Sequence, residues 1–429
     1  MELVELKDEE FDKFAINHEY GSFLQNSFWG KIKEVNGWNH VILGVKEKKG
    51  KIKAATLLLN KKIPLGEMYY APRGYLLDYN DLDLFEEFDK LITKYVKDHK
   101  GMFLKIDPYV MLKQKDKDNN VVEGGIDNTK LVEKLESLGY KKQNGKPGEQ
   151  SLQATWMYWI RLKDRTLEDI EKDMTSKTRQ MIRKNEKRGV VMRIGDESDL
   201  EEFQKIEDHT GDRRGFISRP LSYIMKMYEE FGNGKYIKVV FADLHIKDRL
   251  EENKKEYDRL DKEYKDLMRD IEAGRKHIGE NKLKLKTDEL DRLKKDIDEF
   301  TELQKKYGDV KPIGAIIYLV YGNEVLSFIG GAYDEFFEFQ PFYTVHYEMI
   351  KYALENHYSY YNFYGISSNL SPEDPLYGIY TFKKGFGGEV VELVGEYDKV
   401  LSGKYHLYNT AYNIVHGLKK FKAKMHAKK

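Results

Sequence analysis

No cysteine occurs among the 429 residues. That absence removes a disulfide framework, thiolate catalysis and cysteine-type zinc sites together, and it fits a reducing cytoplasm. Net charge is absent too: 73 lysines and arginines balance 73 aspartates and glutamates, so a polyanion is held by local patches and not by bulk attraction. Long apolar runs are missing. The longest, around Ile313 to Tyr321, falls far short of a membrane span. The opening MELVELKDEEFDKF is acidic and amphipathic, where an export signal is basic and then apolar. There is no GxxxxGK(S/T) phosphate loop, no HExxH and no strand-linked GxGxxG. Neither half has a convincing glycine-rich loop opening a helix, the cradle on which small-molecule acetyltransferases hold coenzyme pyrophosphate. The acyl donor is therefore expected not to be acetyl-CoA, and no metal or cofactor is expected.

What is present reads as two α/β units. The first half shows helical pattern around Glu9 to Ile16 and again in SFLQNSFWGKIKEVNGW. Strand candidates follow at Val41 to Lys46, Ile52 to Leu59 and Glu67 to Ala71, then a helix over Asp83 to Lys97, a strand Met102 to Ile106 and a helix near Leu131 to Leu138. KKQNGKPGEQ reads as a linker. The second half repeats helix, meander, helix, strand, helix, ending in a strand at Glu389 to Val394. The repetition implies a duplicated unit, with an acyltransferase-like fold as the natural candidate. Its bounds are expected at 1–145, joined by part of 396–429, and at 151–395.

Residues 246–308 interrupt the second unit. Leu250, Tyr257, Tyr264 and Ile271 recur by sevens, and Leu283, Leu290 and Ile297 do so on the return beyond the turn GRKHIGENK. This spacing predicts an antiparallel helical arm with mixed-charge outer faces, either a stiff element sealed by its own seam or a contact for a large partner.

Five stretches could carry chemistry. In FWGKIK, Lys33 is either a solvated lysine or a point charge for phosphate. TSKTRQMIRKNEKRGV is basic nearly all round a helix, which suits either nucleic-acid backbone or plain solvent. GDRRGFISRPLSY is expected to hold Arg213, Arg214 and Arg219 in a loop leading to Pro220 at a helix start, an anion site with Tyr223 one turn on. LKIDPY places Asp107 at a strand tip, where α/β folds put reacting groups, though Asp-Pro is also a common turn. In DPLYGIYTFKKGFGG, Lys383 and Lys384 follow Phe382 and precede glycines. Gly330 and Gly331 either clear space for a peptide against the sheet or mark a bulge, and His346 is expected to be packed. The final HGLKKFKAKMHAKK can rest on an anionic bilayer or be disordered.

Taken together, FLQNSFWGKIK, YYAPRGYLLDY, LKIDPY, SKTRQMIRKNEKRGV, GISSNLSPEDPLYGIYTFKKGFGGEVVELVGEYD and the inserted arm resemble the Fem family of peptidoglycan-bridge aminoacyltransferases over essentially the whole chain. The resemblance implies twin acyl-CoA N-acyltransferase-like (GNAT-like) domains with a coiled-coil arm. It implies transfer of an amino acid from aminoacyl-tRNA, as co-substrate, to an amine on the stem peptide of a cell-wall precursor. By that resemblance Lys33 and Arg219 match residues holding the diphosphate of a lipid-linked or UDP-linked muropeptide, and Tyr223 matches a substrate-contacting tyrosine. Asp107 matches an acid near the acceptor amine, and Phe382 with Lys383 matches the pair at the aminoacyl donor, Lys384 being the alternative. A cytoplasmic enzyme is implied, in possible peripheral contact with the inner membrane face and with other bridge-forming transferases. A related acyltransferase for a protein or small amine, and a non-catalytic cell-wall scaffold, are the alternative readings.

Overall fold

The computed structural model describes residues 1–143, 151–275 and 277–412. Most of the expected linker, from residue 144, and the basic tail from His416 lie outside them. The chain begins with β1 (Leu3–Glu5), α1 (Asp8–Ile16), α2 (Ser27–Glu34), β2 (Asn39–Lys46), β3 (Ile52–Ile63), β4 (Gly66–Ala71), α3 (Leu82–Asp98) and β5 (Phe103–Ile106). It continues through β6 (Met111–Gln114), α4 (Thr129–Ser137), β7 (Tyr140–Lys142), β8 (Trp156–Arg161), α5 (Leu167–Asp173), α6 (Ser176–Lys187) and β9 (Val190–Gly195). Then come α7 (Leu200–Arg214), α8 (Leu221–Glu230), β10 (Ile237–His245), α9 (Ile246–Glu272), α10 (Glu280–Tyr307), β11 (Val310–Tyr321) and β12 (Glu324–Ala332). The last elements are α11 (Phe342–Glu355), β13 (Tyr360–Gly365), α12 (Tyr377–Lys384), β14 (Glu389–Leu393) and β15 (Tyr397–Val400).

These strands form two sheets, ordered β1-β2-β3-β4-β5-β15-β7 and β6-β14-β8-β13-β12-β11-β10-β9. Each sheet contains an antiparallel meander followed by a helix and a strand parallel to the meander's last member. In the first this is β2-β3-β4, α3 and β5; in the second, β10-β11-β12, α11 and β13. Sheet membership does not follow chain order throughout, because β6 joins the second sheet beside β14 and β15 joins the first between β5 and β7. One core cluster spans both lobes, with Phe23, Trp29 and Ile32 of the first against Met227 and Phe231 of the second.

Several local signals account for the elements nearest the site. Asn26 starts α2 by accepting from the Trp29 backbone N–H at 2.8 Å. Arg213 and Arg214, expected in a loop, instead form the last turn of α7, which ends at Gly215 with φ of 73°, a conformation that suits glycine. The interruption is two long helices, α9 and α10, whose contacts step in opposite directions: Leu260 meets Leu290 and Leu293, while Leu250 and Phe300 enter the second lobe's core. Its roots are neighbours, since His245 and Val310 are register partners in β10 and β11.

Candidate functional site

Lys33 stands one helical turn beyond Trp29, with its Nζ 5.0 Å from the indole centroid. Burial, together with the charges of Lys61 and Arg219, lowers its pKa. Arg219 lies just before Pro220 at the start of α8; its Nη1 is 3.5 Å from Glu207 Oε1 and its guanidinium 5.7 Å from the Phe328 ring. Tyr223 follows on α8, its hydroxyl pKa raised by burial. Lys33, Arg219, Tyr223, Trp29, Phe328 and Tyr364 line one cavity of about 430 Å³.

Lys383 lines a second cavity, of about 640 Å³, formed where β12 and β13 part company. Those strands pair in parallel as far as Leu326 and Asn362. Beyond that point a bulge makes Phe328 the extra residue of β12 against β11. The β13 register against β8 also shifts between Asn362 and Gly365, with Tyr364 at a left-handed φ of 63°. Bulges re-aim side chains and free backbone groups; here the freed carbonyls of Tyr364 and Gly365 accept from Lys383 Nζ at 3.2 and 2.6 Å. Lys383 is 9% exposed, and burial lowers its pKa to about 7. An ammonium has three donors, so the protonated form keeps one N–H for a ligand.

Phe382 packs on Tyr343, His346 and Phe386. His346 is buried with Nδ1 2.6 Å from the Tyr361 hydroxyl, and burial plus the charge of Lys383 lowers its pKa to about 3. It is a neutral packed ring. Lys384 is directed elsewhere, ion-paired with Asp118. The structure thus separates the two lysines: Lys383 lines the cavity and Lys384 does not.

The Lys33 and Lys383 cavities share Phe328 and Tyr364. A third, mainly apolar cavity of about 660 Å³ shares Tyr364 and Gly365 with the latter, and Leu152, Gln153 and Tyr364 with the former. Of the six expected site residues, five therefore line neighbouring cavities that share wall residues.

Asp107 is the exception. It is 1% exposed and lines none of these three cavities. Its Oδ1 accepts from the Arg73 backbone N–H at 2.7 Å, and its Oδ2 lies 3.3 Å from Arg73 Nη1. Burial is the chief cause of its pKa rising to about 6, with Glu396 adding to the effect and Arg73 opposing it. Asp107, expected near the acceptor amine, lies at the strand tip as a buried ion pair with Arg73, which the turn after β4 folds over the tip of β5. Arg73 in turn donates from Nη2 to the Ala154 carbonyl at 2.6 Å, next to the cavity-lining Gln153.

Gly330 and Gly331 line the Lys383 cavity, and packing behind them also requires small residues. A Cβ on Gly330 would meet Ile316 Cγ1 at 2.8 Å, and one on Gly331 would strike Thr210; the irregularity falls at Phe328 instead. Phe328, Tyr364, Gln153 and Arg73 were not identified as candidates from the residues. The stretch FYG before ISS carried the only local signal for Tyr364. The basic segment is not basic all round either: Thr178 and Asn185 are buried, while Arg179, Arg183, Lys184 and Lys187 line a groove against the arm. Among the described residues no cluster of acidic or histidine side chains is arranged to hold a metal. No helix among them is long and apolar enough to cross a membrane.

Residues 6–413 match the model of the FemAB family. The chain is 28% identical over 425 residues to aminoacyltransferase FemA of Staphylococcus epidermidis, covering 98% of this chain and 100% of that protein. It is 30% identical over 430 residues to aminoacyltransferase FemB of the same species, with the same coverage. The crystal structure of FemX superposes with a TM-score of 0.77 at 23% identity, covering 96% of this chain and 100% of that one.

Proposed function

Because the chain belongs to the FemAB family and is an aminoacyltransferase, we propose that it moves an amino acid from aminoacyl-tRNA to the stem-peptide amine of a peptidoglycan precursor, building the interpeptide bridge. The observation that carries this reading is that a cavity lined by Lys33, Arg219 and Tyr223 adjoins one lined by Lys383, the two sharing Phe328 and Tyr364 in their walls. A cation pair suits the diphosphate of a lipid-linked or UDP-linked muropeptide, and arginine's fork suits it best. The two lobes are read as GNAT-like units, supported by their repeated meander, helix and parallel strand, and the inserted helices as a coiled-coil arm. Peripheral contact with the inner membrane face belongs to this reading through the lipid-linked acceptor.

An aminoacyl ester is already activated, so its aminolysis needs chiefly orientation. The acceptor nitrogen attacks the ester carbonyl, a C–N bond forms, and the C–O bond to the ribose breaks with a proton passing to that oxygen. The Lys383 ammonium lines the cavity, and its remaining N–H can hold the developing oxyanion or the terminal phosphates of the donor. A preorganised donor of this kind is worth about 3–4 kcal/mol. A lysine-like acceptor amine with a pKa of about 10.4 is neutral at pH 7 roughly once in 2,500, a cost of about 4.6 kcal/mol. Asp107 acts on this site indirectly, by fixing Arg73 against Ala154.

The test is reconstitution: purified protein, charged tRNA and a lipid-linked or UDP-linked pentapeptide are expected to yield a branched muropeptide by mass spectrometry. Absence of product with every amino acid and both precursors would remove the reading.

A further inference from the structure

Asn362 sits where β13 leaves its register, fully buried, with every polar atom of its side chain engaged. Its Oδ1 accepts from the Tyr364 backbone N–H at 2.7 Å, and its Nδ2 donates to Glu324 Oε2 and to the Tyr109 hydroxyl, both at 2.9 Å. Tyr109 donates in turn to the same Glu324 oxygen at 2.8 Å. Glu324 is 5% exposed and makes no ion pair with any described residue. Burial raises its pKa, while the bonds from Asn362 and Tyr109 and the charge of Arg73 oppose the rise.

Glu324 dictates how the Asn362 amide is turned. Its Oε2 is an acceptor, so the end of the amide that meets it is the NH2, and the carbonyl end is left for the Tyr364 N–H. The reverse orientation sets an oxygen against the carboxylate and an NH2 against an N–H, two repulsive contacts in a site shut off from water. The bulge follows from this choice. Three steps separate Asn362 from Gly365 on β13, against two from Trp159 to Met157 on β8. The asparagine carbonyl takes the N–H two residues on, the turn-forming bond of this side chain, and Tyr364 turns to its φ of 63°. The carbonyls of Tyr364 and Gly365 are thereby left for Lys383 Nζ.

The same network gives the tyrosine of LKIDPY a use. Asp107 fixes Arg73, whose guanidinium lies 5.3 Å from the Tyr109 ring, and Tyr109 links the first half of the chain to Glu324 and Asn362.

We propose that Asn362, oriented by Glu324 and Tyr109, is a positioning residue for the transfer: it builds the pair of carbonyls that aims the Lys383 ammonium. Asn362 lines none of the three cavities and acts only through Lys383. This rests on the reading of Lys383 as the cation at the donor ester.

Two readouts separate this role from a merely structural one. Competitive labelling with acetic anhydride across pH, followed by peptide mapping in a mass spectrometer, titrates Lys383 without turnover. Steady-state transfer from charged tRNA to a UDP-linked or lipid-linked pentapeptide gives kcat and KM. Asn362→Leu, of matching size, is expected to lower kcat at least about 30-fold with both KM values within about threefold. It is also expected to move the Lys383 titration from about 7 to lower pH by about one unit or more, since the protonated form loses its two acceptors. Asn362→Asp sets two carboxylates side by side and is expected to lose about tenfold or more in kcat. The exchange pair Glu324→Gln with Asn362→Asp puts the donor on one side and the acceptor on the other again. It is expected to return kcat to within about fivefold of wild type, and the Lys383 titration to at least its wild-type position. Tyr140→Phe removes a buried hydroxyl bonded to Asp89 at 2.6 Å in the first lobe, and is expected to lower stability while leaving kcat and the titration unmoved.

Unchanged kcat per folded molecule in both single Asn362 variants, a loss in Asn362→Leu with the Lys383 titration unmoved, or no recovery in the exchange pair overturns the proposal. If Asn362→Leu does not fold, recovery or its absence in the exchange pair decides. If wild type transfers and the Asn362 variants match it, the positioning role falls and the proposed function stands. If wild type transfers to neither precursor while Asn362→Leu still moves the Lys383 titration, the proposed function falls and the placing of Lys383 by Asn362 stands.

Discussion

Lys383 is an ammonium removed from water, with two carbonyls and, among the described residues, no carboxylate paired to it. An unfolded lysine holds its proton up to about pH 10.4, whereas burial brings the folded one down to about 7. Between those values the unfolded chain binds more protons, so this group makes stability rise with pH. Lys383→Met is therefore expected to abolish transfer with precursor binding intact, and to raise stability at pH 7 by about 1–3 kcal/mol, a gain that shrinks toward pH 10. Product assays and denaturant unfolding at both pH values check the two halves; unchanged transfer would remove the main assignment. Donor binding is expected to weaken as pH rises from 7 to 9, because the anion selects the protonated form. Asp107→Ala is expected to cost about 3–5 kcal/mol of stability by leaving Arg73 buried and unpaired, read by urea unfolding. A near-neutral result would return Asp107 to a chemical role. For the precursor, Arg219→Ala is expected to weaken muropeptide binding about tenfold or more and Lys33→Ala less, measured by calorimetry. Arginine can be bidentate, and its loss leaves Glu207, 1% exposed, beside the bound anion. Equal or reversed losses would contradict the ranking.

At the scale of elements, regular repeats were legible and irregular ones were not. The heptads of the arm and the strands of each meander announce themselves because period 3.5 and period 2 are local properties. The bulge at Phe328 and the left-handed Tyr364 depend on what lies across the sheet, and SFIGGAYDE drew attention to its glycines when the bulged residue stood two places earlier. Four-residue strands such as β6 and β15 carry too few alternations to be recognised. The arm offers a direct test of modularity. Its seam is local, and only its roots join the second lobe's core, so replacing 252–296 by a short turn is expected to shift the melting temperature by no more than a few degrees. Thermal circular dichroism reads this, and loss of cooperative melting would show that the arm is part of the core.

For the whole molecule, exchange of β6 and β15 between the sheets ties the lobes together, as do the shared core and polar links such as Tyr109 to Glu324 at 2.8 Å. Neither lobe can complete its sheet without the other's chain. Unfolding is expected to be a single transition, with coincident midpoints by fluorescence and far-UV circular dichroism. Two separated transitions would show that the lobes fold independently.

What the chain alone determined was composition and period: no thiol chemistry, no coenzyme loop, a doubled α/β pattern, an inserted helical arm, and a handful of cations beside aromatics. These are properties of neighbouring residues, fixed by side-chain chemistry and spacing. Only the tertiary structure decided that Lys33, Arg219 and Lys383 line adjacent cavities while Asp107 is sealed against Arg73, and that half of a basic helix faces a groove. The physical reason is distance along the chain: burial and pairing are set by partners dozens to hundreds of residues away, and no local pattern encodes which of them arrives.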